Sequence, residues 1–277
     1  MKSSARKPIG IFDSGIGGLT VAHRIIRDFP DEDIVYFGDT AHLPYGDKSE
    51  ELIRQYSLRI SEFLIEKGCK LIVIACNTAS SVAHDELVNS FGSGTYFVNV
   101  VDPAINGITA MADVSEVGII GTQRTIGSDV YSLRIHRLKP EMQVRSLATP
   151  LLAPMIEAGF FNNKISRTVI EAYLNDPSLK SIQALILACT HYPLIKKQIH
   201  EFYRGYVRVF DSTDFISKEV GMILDLHGLR NDKKSMKNQF YVSDLTESFE
   251  KTTRLFFREE IVLEYYPLWE ASKSLSL

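Results

Sequence analysis

Hydrophobic positions along the chain follow two rhythms: short unbroken apolar runs, and longer stretches in which apolar residues recur three and four positions apart. The first is the rhythm of strands buried on both faces, the second that of helices with one buried stripe. Pro8 to Phe12 predicts a strand, Asp13-Ser14-Gly15-Ile16-Gly17-Gly18 a turn, and Leu19, Ala22, Ile25, Ile26 and Phe29 a helix that Pro30 closes. Ile34 to Phe37 predicts the next strand, and the Gly, Pro and Asp content of Gly38 to Gly46 a loop. A helix over about Glu50 to Lys67 carries Leu52, Ile53, Tyr56, Ile60, Phe63 and Leu64 on one stripe and stops at Gly68. Leu71-Ile72-Val73-Ile74-Ala75 is a buried parallel strand, followed by a helix near Ser81 to Phe91 and a strand over Tyr96 to Val101.

Asp102-Pro103 interrupts the pattern and marks a candidate domain boundary. Alternation then resumes with a strand at Val117 to Ile120, a helix running to about Leu138, a strand near Val144 to Leu147, and a short helix entered from Thr149-Pro150 that places Glu157 behind an apolar run. A helix around Ile165 to Leu174, an apolar strand from Ala184, a helix to about Tyr203 and a strand near Val207 to Phe210 follow. Asp211-Ser212-Thr213 reads as a cap for a helix over Phe215 to Leu226. Beyond a polar loop at residues 231–235, strands at Phe240 to Val242 and Ile261 to Tyr265 flank a charged helix. The class expected is α/β, with two similar open, mainly parallel sheets.

Length and charge narrow this further. A chain of 277 residues has room for two cores at roughly 150 residues each, and no low-complexity linker separates them. The expected division is residues 1–101 with 209–277 as one domain and 102–208 as the other, related by a pseudo-twofold axis with the active site in the cleft between them. No apolar run approaches the ~18 residues of a membrane span, and the amino terminus lacks the apolar core of a signal peptide, so a cytoplasmic protein is expected. The 31 basic and 34 acidic side chains give no excess for neutralising phosphates, which argues against nucleic acid as a primary partner. Three cysteines, an odd number, suit a reducing compartment where thiols stay free.

The cysteines carry the chemistry. Cys76 closes the Leu71 strand at its carboxyl end, where ligands bind in open α/β sheets, and Ala188-Cys189-Thr190-His191 closes the Ala184 strand in the same way. Two thiols so placed are expected to face each other across a cleft, whereas Cys69 precedes its strand and reads as structural. Asn77, Thr78 and Thr190 stand where strands turn into helices, and either helix capping or carboxylate binding would suit them. His191, two residues beyond Cys189, can sit beside the thiol and favour thiolate. Asp13 follows the first strand and could move a proton or bind an ammonium group, or simply cap the turn. The glycine turn itself offers backbone N–H groups to an anion. With Asp39 about 20 residues on, it imitates a dinucleotide fingerprint, but Thr20 stands at the third glycine position. Zinc is disfavoured by the spacing of Cys69 and Cys76, and a single-nucleophile hydrolase leaves the second cysteine unexplained.

Ile11-Phe12-Asp13-Ser14-Gly15-Ile16-Gly17-Gly18, Gly38-Asp39-Thr40-Ala41 with Pro44-Tyr45-Gly46, Ala75-Cys76-Asn77-Thr78-Ala79 and Cys189-Thr190-His191-Tyr192-Pro193, in this order, resemble the glutamate racemase family. The resemblance implies a cofactor-independent, metal-free isomerase that interconverts L- and D-glutamate and supplies the D-isomer for peptidoglycan. It implies Cys76 and Cys189 as the proton-transfer residues, Cys76 acting on the D-isomer and Cys189 on the L-isomer, with Asp13, His191 and Glu157 assisting them. Substrate would be held by Asp13, Ser14, Pro44, Tyr45, Gly46, Asn77, Thr78, Thr122, Thr125, Thr190 and His191. The expected partners are the small-molecule substrate and a second copy of the chain in a homodimer, with no membrane. A non-catalytic amino-acid sensor on the same fold is the rival class, and the two retained thiols weigh against it.

Overall fold

The computed structural model describes residues 6–234, 236–246, 253, 257 and 261–270. In chain order the strands are β1 (Ile9–Asp13), β2 (Ile34–Gly38), β3 (Leu71–Ile74), β4 (Tyr96–Asn99), β5 (Glu116–Gly121), β6 (Gln143–Ala148), β7 (Ala184–Ala188), β8 (Arg208–Asp211), β9 (Gln239–Val242) and β10 (Leu263–Tyr265). The helices are α1 (Leu19–Asp28), α2 (Glu50–Glu66), α3 (Asn77–Phe91), α4 (Val101–Thr109), α5 (Gln123–Gly127), α6 (Val130–Leu138), α7 (Leu152–Glu157), α8 (Lys164–Leu174), α9 (Lys196–Tyr203) and α10 (Ile216–Leu226). Short 3-10 turns lie at Thr40–His42, Tyr45–Asp47 and Tyr192–Ile195.

Two sheets organise the chain into two domains. The first runs β10-β9-β2-β1-β3-β4 and the second β6-β5-β7-β8, and every pairing in both is parallel. Within each, the strand that comes first in sequence lies between the second and the third, so the order β2-β1-β3-β4 is repeated as β6-β5-β7-β8. Side chains of β1, β3 and β7 are buried throughout, as near-continuous apolar runs covered by helices on both faces are. In this doubly wound order the crevice for a ligand opens beside the first strand, at the carboxyl ends. Cys76 follows β3 and Cys189 follows β7, so both thiols occupy the same topological position.

One apolar cluster extends from Ile11 and Ile25 through Ile216 and Val220 to Leu187 and Ile199, so the two domains share a continuous core. Phe215 packs on α4, where a Cβ at Gly107 would stand 2.2 Å from its ring. Cys69 is buried against Gly10, and burial pushes its thiol up to about 12. That is the inert, structural cysteine expected.

Several boundaries differ from the sequence pattern for identifiable reasons. The helix after Cys76 starts at Asn77, four residues early, because the Cys76 sulfur itself caps it by accepting the Ala79 N–H at 3.4 Å. Asp102-Pro103 does not break the chain but lies in the first turn of α4, where proline's missing N–H is no loss. The helix expected through Leu138 is interrupted at Ser128 and Asp129, the latter at φ 58°. The strand expected to end at Phe210 continues through Asp211 in the second sheet, beyond the expected boundary at 208/209. The charged helix expected before Ile261 falls on residues that lie almost wholly outside those described.

Candidate active site

Asp13 ends β1 with no exposure to solvent. Its Oδ2 accepts the backbone N–H groups of Gly15 at 3.1 Å and Gly18 at 3.0 Å, and its Oδ1 accepts the Thr190 hydroxyl at 3.3 Å. The glycine turn is therefore an anion cradle already filled by its own aspartate, not an open one as its composition suggested. A Cβ at Gly18 would stand 2.5 Å from the Asp13 Cβ, which leaves no space there for a pyrophosphate. Asp39, buried and hydrogen-bonded to protein donors, is likewise not free to take a ribose. The dinucleotide reading fails on both counts.

The Cys76 thiol donates toward Ser14 Oγ at 3.6 Å while its sulfur caps α3. Burial pushes this thiol up to about 12, and the neighbouring Asp13 charge adds to the effect, against the opposing Ala79 N–H and Ser14 contacts; Cys189 is close enough to contribute as well. Burial also raises Asp13 above the usual carboxylate range, opposed by His191 and by the Gly18 and Gly15 N–H groups. A buried thiol thus stands near a buried carboxylate that is readier than usual to take a proton.

On the facing side, Cys189 Sγ lies 3.6 Å from His191 Nδ1, and His191 Nε2 lies 2.9 Å from Glu157 Oε1 at the end of α7. Burial works against charge on this imidazole, yet its contacts with Cys189 and Glu157 outweigh it and hold the group well above the ordinary histidine value. Glu157, weak as a sequence signal because helices are rich in glutamate, is brought into the site by the fold.

A single small cavity joins these groups. Cys76, Ser14, Asn77 and Thr78 line it from the first domain with Pro44, Tyr45 and Gly46; Cys189, Thr190, His191, Glu157, Thr122 and Ala153 line it from the second. Asp13 and Thr125 stand behind this lining, Thr125 as a hydrogen-bond partner of Thr78 at 3.1 Å. Thr122 closes the wall at 3.0 Å from Thr78, and a Cβ at Gly46 would meet it at 2.8 Å. Sequence reasoning missed Ala153, Tyr131 and Ser212. The last two hold Asn77, the Tyr131 hydroxyl donating to its Oδ1 at 2.8 Å and its Nδ2 donating to Ser212 Oγ at 3.2 Å. Only the capping triplet hinted at Ser212, and nothing in the pattern separated Tyr131 from an ordinary core tyrosine.

The lining contains no lysine or arginine, so a bound carboxylate would be held by hydroxyls, the Asn77 amide, the His191 ring and N–H dipoles such as those opening α3. The space open to the centre of a water molecule is only ≈ 20 Å³, about one water's worth. Among the described residues no cluster of three His, Cys, Asp or Glu side chains is placed to hold a metal ion.

Residues 18–220 match the Asp/Glu/Hydantoin racemase family model. The chain is 38% identical over 270 residues to the glutamate racemase of Geobacter metallireducens, covering 96% of this chain and 98% of that protein. Its fold is similar to glutamate racemase from Francisella tularensis in complex with D-glutamate, with a TM-score of 0.89, 37% identity and coverage of 96% of this chain and 99% of the other. It is also similar to the RacE1 isoform from Bacillus anthracis, with a TM-score of 0.89, 31% identity and coverage of 94% and 98%.

Proposed function

Because the chain belongs to the Asp/Glu/Hydantoin racemase family, we propose that it interconverts L- and D-glutamate without a cofactor, by moving the Cα proton between Cys76 and Cys189. The observation that supports this reading is that two thiols at topologically equivalent strand ends, one from each domain, line the same cavity. Racemisation takes a proton from one face of Cα and returns one to the other, which calls for two acid/base groups on opposite sides.

In the L-to-D direction the Cys189 thiolate takes the Cα proton: the C–H bond breaks, an S–H bond forms, and the electron pair remains on the substrate as a carbanion. The Cys76 thiol then donates its proton to the opposite face and is left as thiolate; the resting state returns when Cys189 passes the proton it gained to His191 and Cys76 takes one back from water by way of the Asp13 carboxyl. The reverse reaction starts with Cys76 as thiolate. With a thiol pushed up to about 12, forming that thiolate at pH 7 costs ~7 kcal/mol at 1.36 kcal/mol per unit. This lies within the ~16 kcal/mol barrier of a typical turnover near 10 s⁻¹. His191, backed by Glu157, is the matching proton partner of Cys189.

General acid/base catalysis contributes ~10² to 10⁴-fold, so the carbanion needs further stabilisation from fixed dipoles and from the exclusion of water. The α3 N-terminus, the Thr122 and Thr190 hydroxyls and the Asn77 amide are the groups placed to supply it. Asp13, Ser14, Pro44, Tyr45, Gly46, Thr78 and Thr125 complete the substrate site in this reading. The division into residues 1–101 with 209–277 and 102–208 becomes, with β8 assigned to its sheet, two half-sites that close on one substrate. The product serves peptidoglycan synthesis in the cytoplasm, and the working enzyme is a homodimer.

The test is proton exchange in D₂O. Wild type should incorporate deuterium at Cα from either enantiomer with nothing added, while Cys76→Ala and Cys189→Ala should each abolish racemisation and keep the native circular dichroism. Full racemisation by either variant would overturn the two-base scheme. Saturable glutamate binding with no exchange in the wild type would instead favour a sensor.

A further inference from the structure

From the contacts of Asp39, a residue the mechanism above does not use, we infer that it is a positioning residue that couples the carboxyl-terminal segment of the chain to the Pro44-Tyr45-Gly46 wall of the cavity. The inference rests on the racemase reading for its kinetic consequences, though not for its geometry. Asp39 directly follows β2 and has no solvent exposure. A buried carboxylate is costly unless its lone pairs are met by donors. Here the Tyr45 hydroxyl donates to Oδ2 at 2.6 Å, and the Ser243 hydroxyl and the Trp269 indole N–H donate to Oδ1 at 2.8 and 2.9 Å. His42 Nδ1 lies 3.0 Å from Oδ2.

Two of these donors come from residues more than 200 positions further along the chain, and neither lines the cavity. The attachment is continuous. Ala41 N donates to Ser243 Oγ at 3.0 Å, and Asp244 N donates to Thr40 Oγ1 at 2.8 Å. The His42 ring stacks on Tyr56 with centroids 4.2 Å apart and meets Trp269 edge-on at 4.7 Å. Asp39 thus stands between Ser243 and Trp269 on one oxygen and Tyr45 on the other. The Tyr45 hydroxyl, spent on Asp39, fixes the ring and with it the backbone of a loop whose Gly46 touches Thr122 across the cavity.

The test uses the full-length protein. Asp39→Asn keeps the shape but turns one acceptor into a donor facing donors. KM for glutamate should rise about 10-fold with kcat changed far less, the effect of one hydrogen bond to a charged group. If Asp39 acts through Tyr45, Tyr45→Phe should produce most of the same KM change and the double variant little more than either alone. Ser243→Ala combined with Trp269→Phe, which leaves the loop itself intact, should raise KM several-fold, and it carries the test if Asp39→Asn fails to fold. Trp269 is the sole tryptophan, so its emission reports on the cluster without any activity. Asp39→Asn should shift it, and Tyr45→Phe, one bond further away, should shift it in the same sense. A lower melting temperature with KM within twofold of wild type, or independent effects of Asp39→Asn and Tyr45→Phe, overturns the inference. If the wild type fails to racemise glutamate, the racemase reading falls, and the emission of Trp269 in the two variants still decides whether the coupling exists.

Discussion

His191 is held between a sulfur and a carboxylate, and both contacts favour its charged form. A histidine whose pKa is raised on folding adds stability that is fully present below its unfolded value of about 6.5 and is lost as pH rises through the higher folded value. Glu157→Gln removes the carboxylate, so the folded pKa should fall and this loss should set in at lower pH. The alkaline limb of the kcat/KM profile belonging to His191 should move in the same direction, with a loss of up to about 10²-fold in kcat if the proton partner is compromised. Stability measured from pH 5 to 9 and a pH–rate profile check both, and an unmoved profile would remove Glu157 from the acid/base machinery. At this scale the sequence told much about Cys76 and Cys189, because an apolar run ending in a thiol announces a strand end. It told less about Asp13: a glycine turn reads the same whether its N–H groups await a ligand or already hold the preceding carboxylate. Asp39 was invisible as a hub, since Ser243 and Trp269 reach it only through the folded chain.

Helix α3 shows how an element and the chemistry share one residue. Its first turn is capped by the Cys76 sulfur, a weaker acceptor than a hydroxyl, and that is why the pattern placed the helix start four residues late: cysteine is not among the usual capping residues. Cys76→Ser should therefore melt at or above the wild-type temperature, because an oxygen replaces sulfur at the cap. Cys76→Ala should lose less than ~1 kcal/mol, the lower part of the range for lost caps. Both should be severely impaired as racemases, so calorimetry beside the exchange assay separates the cap from the acid/base role. Equal stability of the two variants would show that the cap contributes nothing. Strands β3 and β7 were the most legible elements, since each is apolar and buried throughout, while α4 was obscured by a proline that a helix tolerates only in its first turn.

At the scale of the molecule, the cavity walls are joined by hydrogen bonds from Tyr131 to Asn77, from Thr78 to Thr122 and from Arg124 Nε to the Lys48 carbonyl. In the proposed racemisation these contacts are the ones placed to part for substrate and to close behind it. Far below the cavity, at the amino ends of the first sheet's strands, Lys70 Nζ lies 2.6 Å from Glu32, with the Leu229 carbonyl at 2.6 Å and Asn231 Oδ1 at 3.0 Å. This buried pair clips the connector after α10 to the first domain. Lys70→Met leaves the Glu32 charge without its ammonium partner and should cost ~3–5 kcal/mol in urea unfolding, whereas adding Glu32→Leu should recover most of it. Neither the grip of Lys70 on Leu229 and Asn231 nor the pairing of β9 with β2 could be read from local pattern, because both join segments far apart along the chain.

That last pairing bears on how the protein is made. During translation, β1 to β4 emerge first and the whole second domain is synthesised before Gln239–Val242 arrives to cover β2. Until then β2 is an open margin of the kind that invites strand addition from other chains. The donors that bury Asp39 come just after β9 and β10, so the same late event that seals the sheet also sets the Tyr45 loop. A nascent chain released before residue 239 would carry that open margin and lack the Ser243 and Trp269 donors to Asp39, so truncation at that point should yield a chain that associates through β2.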